Sequence, residues 1–196
     1  GTRRGGSIYN PCGFHFIEHL LTKRGGARTA REFTECLDKA GVDFNAQTSP
    51  FFMTVTGHFK PELLNPVLKV FSGIGTQEFF SERDFEIEKR VIMVERKRIK
   101  DDAEELLEEF LYRTLFGSHP IAQHTVGTES EITNLRFSDL VSLARNYFNP
   151  ANLILVITGP WEIQEVFFAA AEYFSGLKKR RFACPRIKRV KIKAAV

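Results

Sequence analysis

A segment near the start of this chain places two histidines and a glutamate inside an apolar stretch that is predicted to be helical. Residues 15–19 read His-Phe-Ile-Glu-His. The apolar side chains in and beside this segment are Phe14, Phe16, Ile17, Leu20 and Leu21. A helix this apolar is predicted to be buried, and buried imidazoles and carboxylates are costly unless they find partners. The fold must therefore bring partner groups from elsewhere in the chain against this helix.

The spacing of the three polar residues is typical of a metal site. His15 and His19 are four positions apart, so both imidazoles project from one helix face. Two ring nitrogens placed in this way can bind one Zn²⁺ ion at about 2.0–2.1 Å each. Glu18 lies at the edge of that face, where it can accept a proton from a metal-activated water. The alternative, a surface helix with a solvated glutamate, is disfavoured by the apolar neighbours.

A heptad-spaced stripe in the charged segment after Ser81 offers a third ligand, which a catalytic zinc site usually needs. Its members are Phe85, Glu88, Ile92, Glu95 and Ile99. Glu88 and Glu95 point nearly the same way, and two buried carboxylates side by side are expensive without a cation such as zinc. The alternative is the solvated face of a charged helix, since Glu86, Lys89, Arg90 and Arg96 are close by. The apolar members of the stripe favour the metal site.

Composition narrows the class of protein further. The 196 residues suffice for one domain, and the longest apolar runs are too short to span a membrane. Three cysteines without a Cys-x-x-Cys pair argue against a disulfide framework, which favours reduced thiols and a cytoplasmic setting. The net charge of +4 is concentrated in the last residues. We interpret 178–196 as a basic linker rather than a nucleic-acid site, because no nucleic-acid motif accompanies the charge.

The order of predicted elements favours an α+β fold, with helices covering one face of an antiparallel sheet. Strands are predicted at 42–48 and 51–59, and a late buried strand at 152–158. Helices are predicted at 13–23, from Thr29 to Gly41, from Pro61 toward Phe71, from Ser81 toward Phe116, from Ser138 and over 161–174. Asp101-Asp102 is expected to kink or break the longest of them. Capping boxes are predicted at Thr29 and Thr128.

At this point the sequence resembles the pitrilysin/insulysin family of zinc peptidases, and most closely its processing-peptidase-like, two-domain branch. The motif at 15–19 is followed, 76 positions after His19, by Glu95. Residues 45–49, Asn-Ala-Gln-Thr-Ser, match a strand of that family. Further matches in order are His119-Pro120, Gly127-Thr128-Glu129, residues 147–152 and Gly159. The resemblance covers nearly the whole chain.

The resemblance implies a role for each matched residue. His15, His19 and Glu95 would hold Zn²⁺, Glu18 would be the general base, and Glu88 would assist catalysis or orient a ligand. The strand bearing Asn45, Ala46 and Thr48 would line the cleft and pair with an extended peptide substrate. Residues 1–177 would form the catalytic domain of a zinc endopeptidase, with the family's initial strands missing before residue 1.

The resemblance also implies a partner. Family members carry a second, similar domain that closes over the cleft, so the other half is expected as a domain or as a separate chain in a homo- or heterodimer. Phe14 departs from the small residue usual before the motif. The alternative function is a non-catalytic structural or regulatory subunit of a peptidase-like complex. Such subunits generally lose motif residues, whereas all five acidic and imidazole positions are present here, which favours an enzyme.

Overall fold

The computed structural model describes residues 10–21, 35, 37–74, 81–177 and 179 of the chain. Two strands are present in these residues, β1 (Asp43–Thr48) and β2 (Met53–His58). Besides the helical residues 35 and 37–40, which belong to the helix predicted from Thr29 to Gly41, the helices are α1 (Pro11–Leu21), α2 (Leu64–Ile74), α3 (Glu82–Lys100), α4 (Ala103–Phe116), α5 (Glu129–Asn134), α6 (Phe137–Tyr147) and α7 (Ile163–Phe174). Short 3₁₀ turns lie at Pro61–Leu63, Pro120–Ala122 and Pro150–Asn152.

The two strands form an antiparallel hairpin whose side chains alternate between a half-buried and an exposed face. Ala46 pairs with Val55 and Thr48 pairs with Met53. The half-buried face packs against helices, because the hydrophobic core extends onto Met53 and Val55 and the ring of Phe44 lies 5.8 Å from that of Phe71 in α2. The predicted α+β class, with helices on one face of an antiparallel sheet, is confirmed.

The helix α1 is the centre of the hydrophobic core. Its apolar side chains Phe16, Ile17, Leu20 and Leu21 are fully buried, in one cluster with residues of α3, α5 and α6. Close approach of α6 depends on Gly13, since a Cβ at that position would lie 2.6 Å from Leu143 Cδ2. The predicted burial of the motif helix is therefore confirmed.

The predicted break at Asp101-Asp102 separates α3 from α4. Asp102 accepts hydrogen bonds from two backbone N–H groups in the first turn of α4, which ends one helix and begins the next. Ser81 caps α3 by accepting from the backbone N–H of Asp84 at 3.1 Å. The capping box of Thr128 and Glu131 is present as predicted. Four of the five members of the predicted α3 stripe are buried, and Glu95 is half-buried.

Two predictions were wrong in detail. The helix α6 begins at Phe137 with Arg136 at its cap, so Ser138 lies inside the helix rather than capping it. Residues 153–158 do not form a strand, because no other strand in the described part of the chain lies beside them. Their apolarity predicts a strand, but a strand also needs hydrogen-bonded neighbours, and the side chains of Ile154 and Val156 are largely exposed.

Some predictions fall outside the described residues. These are the N-cap at Thr29, the expectation of missing strands before residue 1, and the basic stretch from 180 onward. In the ranges that the structure does describe, no helix is both long and apolar enough to cross a bilayer.

The packing of α3 on α1 predicts a large difference between two aliphatic side chains of α3. Ile92 is fully buried and Val94 is 67% exposed. Ile92→Ala should lower the free energy of unfolding by about 2–5 kcal/mol, through lost burial and the cavity that remains. Val94→Ala, the matched control, should change it by less than about 0.5 kcal/mol. Equilibrium urea unfolding with a metal chelator present measures both, and equal effects would contradict this packing.

Candidate metal centre

The α1 side of the candidate centre consists of two imidazoles on one helix face, arranged edge to face. His15 and His19 have ring centroids 4.7 Å apart, on successive turns of α1. The His15 residue is 8% exposed, because the surrounding apolar residues of α1 are buried in the core. The helix therefore presents two nitrogen donors at the boundary between core and solvent, as the i, i+4 spacing predicted.

The helix α3 brings a carboxylate against both imidazoles. Glu95 Oε2 lies 3.1 Å from His15 Nε2 and 3.4 Å from His19 Nε2. One donor atom from each of the three residues lies within 4.8 Å of the other two. Tetrahedral zinc with bonds of 2.0–2.1 Å holds its ligands about 3.3–3.4 Å apart. The donor set, two imidazoles and one carboxylate at this spacing, therefore fits Zn²⁺.

Glu88 is more deeply buried than Glu95 and contacts His19. Its carboxylate Oε2 is 3.0 Å from His19 Nδ1, and the residue is only 2% exposed. With a metal ion bound, Nδ1–H would donate to this carboxylate and the Nε2 lone pair would face the ion, whereas without metal Nε2–H can donate to Glu95. Metal-binding histidines are commonly held by a carboxylate in this way, which fixes both the tautomer and the ring orientation. The role that the resemblance implies for Glu88, to assist catalysis or to orient a ligand, stays a prediction.

The sequence matches the family described as insulinase (peptidase family M16) over residues 6–129, which is more than half of the chain. The chain belongs to this family.

Comparisons with individual proteins agree with this assignment. An uncharacterized zinc protease of Mycobacterium leprae is 25% identical over 174 residues, which cover 88% of this M16 chain and 39% of that protein. A protease from Helicobacter pylori is similar in fold, with a TM-score of 0.82 and 24% identity over 96% of this chain and 46% of that one. The inactive domain of an M16 peptidase from Pseudomonas fluorescens has a TM-score of 0.81 and 18% identity, covering 95% and 46%. The chain thus spans about two fifths of the length of the curated relative.

Glu18 lies beside the three candidate ligands without joining them. Its Oε2 is 3.6 Å from His15 Nδ1, which is too long for a hydrogen bond. Burial would raise the pKa of this carboxyl, but the neighbouring His15 and Thr48 side chains, and the charge of His19, outweigh burial and lower it. The Thr48 hydroxyl is buried beside Glu18 but makes no well-formed hydrogen bond within the described residues. Glu18 is therefore ionised at neutral pH, as a proton acceptor must be.

The charges of this M16 site compensate one another in the metal-free chain. Burial would lower the pKa of His15, but the carboxylates of Glu18 and Glu95 overcome burial and raise it to about 9. Hydrogen bonds from His15 and His19 hold the pKa of Glu95 well below its usual range. A zinc ion bound at His15 would have to displace the His15 proton at neutral pH, so the affinity for zinc would rise as the pH rises toward about 9.

The predicted substrate-binding residues lie on β1, next to the motif helix. Asn45 is on the exposed face, while Ala46 and Thr48 are on the half-buried face. One edge of β1 is paired with β2, and in the described residues no strand occupies the other edge. Contact of these three residues with a substrate stays a prediction.

Sequence reasoning missed a buried ion pair next to the site. In the sequence Arg96 is only one of the charged neighbours that would favour a solvated helix face, yet it is 5% exposed and pairs with Glu109 of α4, which is 8% exposed. The two residues are 13 positions apart, on opposite sides of the predicted helix break. A helical stripe through Arg96 could have suggested a contact, but its partner depends on how α4 folds back on α3.

The geometry of the donors predicts the stoichiometry of zinc. The wild-type chain should bind one Zn²⁺ ion, and His19→Ala should bind less than a tenth as tightly, because one of three ligands is lost. His58 is an exposed histidine at the end of β2, and His58→Ala is the matched control. Elemental analysis after dialysis against a weak chelator measures the bound metal. Equal zinc contents in wild type and His19→Ala would exclude His19 as a ligand.

Proposed function

We propose that this chain is the catalytic half of a zinc endopeptidase that hydrolyses extended peptides. The observation that carries the proposal is the meeting of His15, His19 and Glu95 at distances that suit one zinc ion, with Glu18 ionised beside them. Zinc in such a site supplies Lewis-acid polarisation of the peptide carbonyl and acidifies the attacking water. Membership of the M16 family, and the zinc protease named among its relatives, support the same chemistry.

The general base in this proposal is Glu18. Its carboxylate accepts the proton of the attacking water as the water oxygen bonds to the carbonyl carbon. The same carboxyl group then donates that proton to the amide nitrogen as the carbon–nitrogen bond breaks, which leaves a carboxylic acid and an amine. Its lowered pKa keeps it ready for the first step, and its place on the edge of α1 keeps it outside the ligand set.

The substrate is held in this proposal as an added strand along β1. Main-chain hydrogen bonds to an open strand edge bind many sequences in an extended conformation. Such binding positions the scissile bond without demanding particular side chains, and it orients the carbonyl for attack. Contacts on both faces of the strand would then come from Asn45, Ala46 and Thr48.

A second domain or chain completes the cleft in this proposal. This chain corresponds to 46% of the H. pylori protease and to 39% of the M. leprae zinc protease. An open site leaves the reacting groups in water and forfeits much of the positioning on which catalysis depends. We therefore infer that the other half covers the α1–β1 face and excludes water from it.

A second candidate function is a non-catalytic subunit of a peptidase-like complex. One observation favours it, because a solved structure of similar fold is described as an inactive M16 domain. The presence of Glu18 together with the complete ligand set in this chain favours the catalytic proposal. A stoichiometric zinc content without peptide hydrolysis by the assembled protein would favour the subunit instead.

The role assigned to Glu18 predicts a large loss of activity without loss of metal. Glu18→Gln in the assembled protein should lower kcat by about 10²–10⁴-fold, since the amide cannot accept the proton. Its zinc content should stay near one per chain, because Glu18 is not a ligand. The control is Glu86→Gln on the exposed side of α3, which should retain full activity. If Glu18→Gln retained near wild-type turnover, the base would be another carboxylate, and Glu88 would be tested next.

The role assigned to the second half predicts weak activity from this chain alone. A fluorogenic, unstructured peptide should be cleaved at least tenfold faster when the missing domain or partner chain is added, because only the closed cleft positions the substrate. Size-exclusion chromatography with light scattering establishes which species is active. Full activity from a demonstrated monomer would disprove the need for a second half and leave the zinc assignment intact.

A further inference from the structure

A buried ion pair is attached to the residue next to Glu95. Arg96 Nη1 donates to Glu109 Oε2 at 2.9 Å, and Arg96 Nη2 donates to Glu109 Oε1 at 3.2 Å. Both carboxylate oxygens are therefore held by the planar guanidinium fork, with the two side chains 6% and 9% exposed. A bidentate pair of this kind fixes the relative orientation of its two planes as well as their distance.

The carboxylate of Glu109 is held from a second direction as well. Arg113, one turn later on α4, donates from Nη2 to Glu109 Oε1 at 2.7 Å. His124 and Glu105, which are 3.3 Å apart, form a neighbouring pair between α4 and the segment that follows it. Burial would raise the pKa of Glu109, but Arg96 above all, with Arg113 and His124, outweighs burial and lowers it. The pair is thus ionised and anchored to α4 at several points.

Because Arg96 lies on α3, its pair with Glu109 restrains the rotation of α3 about its own axis. Consecutive residues of a helix point about 100° apart, so a side chain locked at 96 sets the direction of the side chain at 95. A group about 6 Å from the helix axis moves by about 1 Å when the helix turns by about 10°. Metal–ligand distances must hold within about 0.2 Å, so a small rotation of α3 is enough to spoil a zinc site.

Stability alone does not account for such a pair. Replacing a buried ion pair by apolar side chains of similar volume often leaves stability unchanged or increases it. A role in fixing the orientation of α3 relative to α4 does account for the pair, because the two hydrogen bonds of a guanidinium group are directional and apolar contacts are not. The two carboxylates of α3 that face the imidazoles, Glu88 and Glu95, are the groups that depend on that geometry.

We propose that Arg96 and Glu109 are positioning residues of the zinc site, which set the rotation of α3 about its axis and thereby place Glu95 against His15 and His19. This inference rests on the proposed function, because it requires that the three residues bind zinc. Neither Arg96 nor Glu109 contacts the reacting atoms in this assignment. Their effect on the site passes through the backbone of α3.

Two variants test the inference without leaving an unpaired buried charge. Arg96→Lys keeps the charge and the aliphatic stem but cannot form the bidentate hydrogen bonds of a guanidinium group. The double variant Arg96→Met with Glu109→Leu keeps the apolar volume but removes the directional hydrogen bonds. Each should raise the dissociation constant for zinc by about 10–100-fold, as expected when a group that orients metal ligands is altered. Competition with a chromophoric chelator at 25 °C measures the affinity. Thermal unfolding of the metal-free chain is measured in parallel.

A spectroscopic readout reports the geometry of the site directly. Cobalt(II) in the wild-type chain should give the intense visible bands of a four-coordinate ion, and both variants should give weaker or shifted bands. The control is Lys100→Met, on the same helix, which removes an exposed pair with Glu129. It should leave the zinc affinity and the cobalt spectrum unchanged.

The possible outcomes separate this inference from the function on which it rests. Failure of the wild-type chain to bind zinc would overturn the proposed function. Zinc affinities within twofold of wild type in both variants, with an unchanged cobalt spectrum, would overturn the positioning role alone. A change in melting temperature without any change in zinc affinity would likewise show that the pair serves only the stability of the fold.

Discussion

The packing of α3 against α1 is the contact on which the rest of the structure depends. Apolar residues of both helices form the core, and the same two surfaces also carry four ionisable groups that face one another. Because these groups are half-buried or buried, water compensates their charges only in part. The helices can pack closely only if imidazoles meet carboxylates or if both meet a cation. The core and the site therefore depend on the same contact between the two helices.

The sequence predicted this contact because its signals are local. The i, i+4 histidines, the heptad stripe through Glu88 and Glu95, and the Asp102 cap all follow from helix geometry that does not depend on distant residues. The ion pair of Arg96 and Glu109 was missed because it depends on the angle between α3 and α4. That angle is set by tertiary packing. The sequence alone does not distinguish a charged residue that faces solvent from one that pairs with a neighbouring helix.

The strand predicted at 152–158 was wrong for a related reason. A run of apolar, β-branched residues indicates a preference for extended backbone, but sheet formation is a property of pairs of segments. In the described residues no second segment completes that pair. Family membership is a stronger result than any single element, since the matched region includes both helices of the site. Catalysis is a narrower claim, because a similar fold also occurs in a domain described as inactive.

The exposed run from Leu153 to Val156 has a consequence for handling the protein. Within the described residues this run belongs to no sheet, and four consecutive exposed apolar residues can template the same segment of another molecule, as in the early steps of amyloid-like aggregation. Ile154 at 92% exposure and Val156 at 77% exposure point to one side of such a pairing. Concentrated solutions of this chain are therefore expected to lose material to β-rich aggregates. The variant Ile154→Lys would place a charge in this run and should reduce such aggregation.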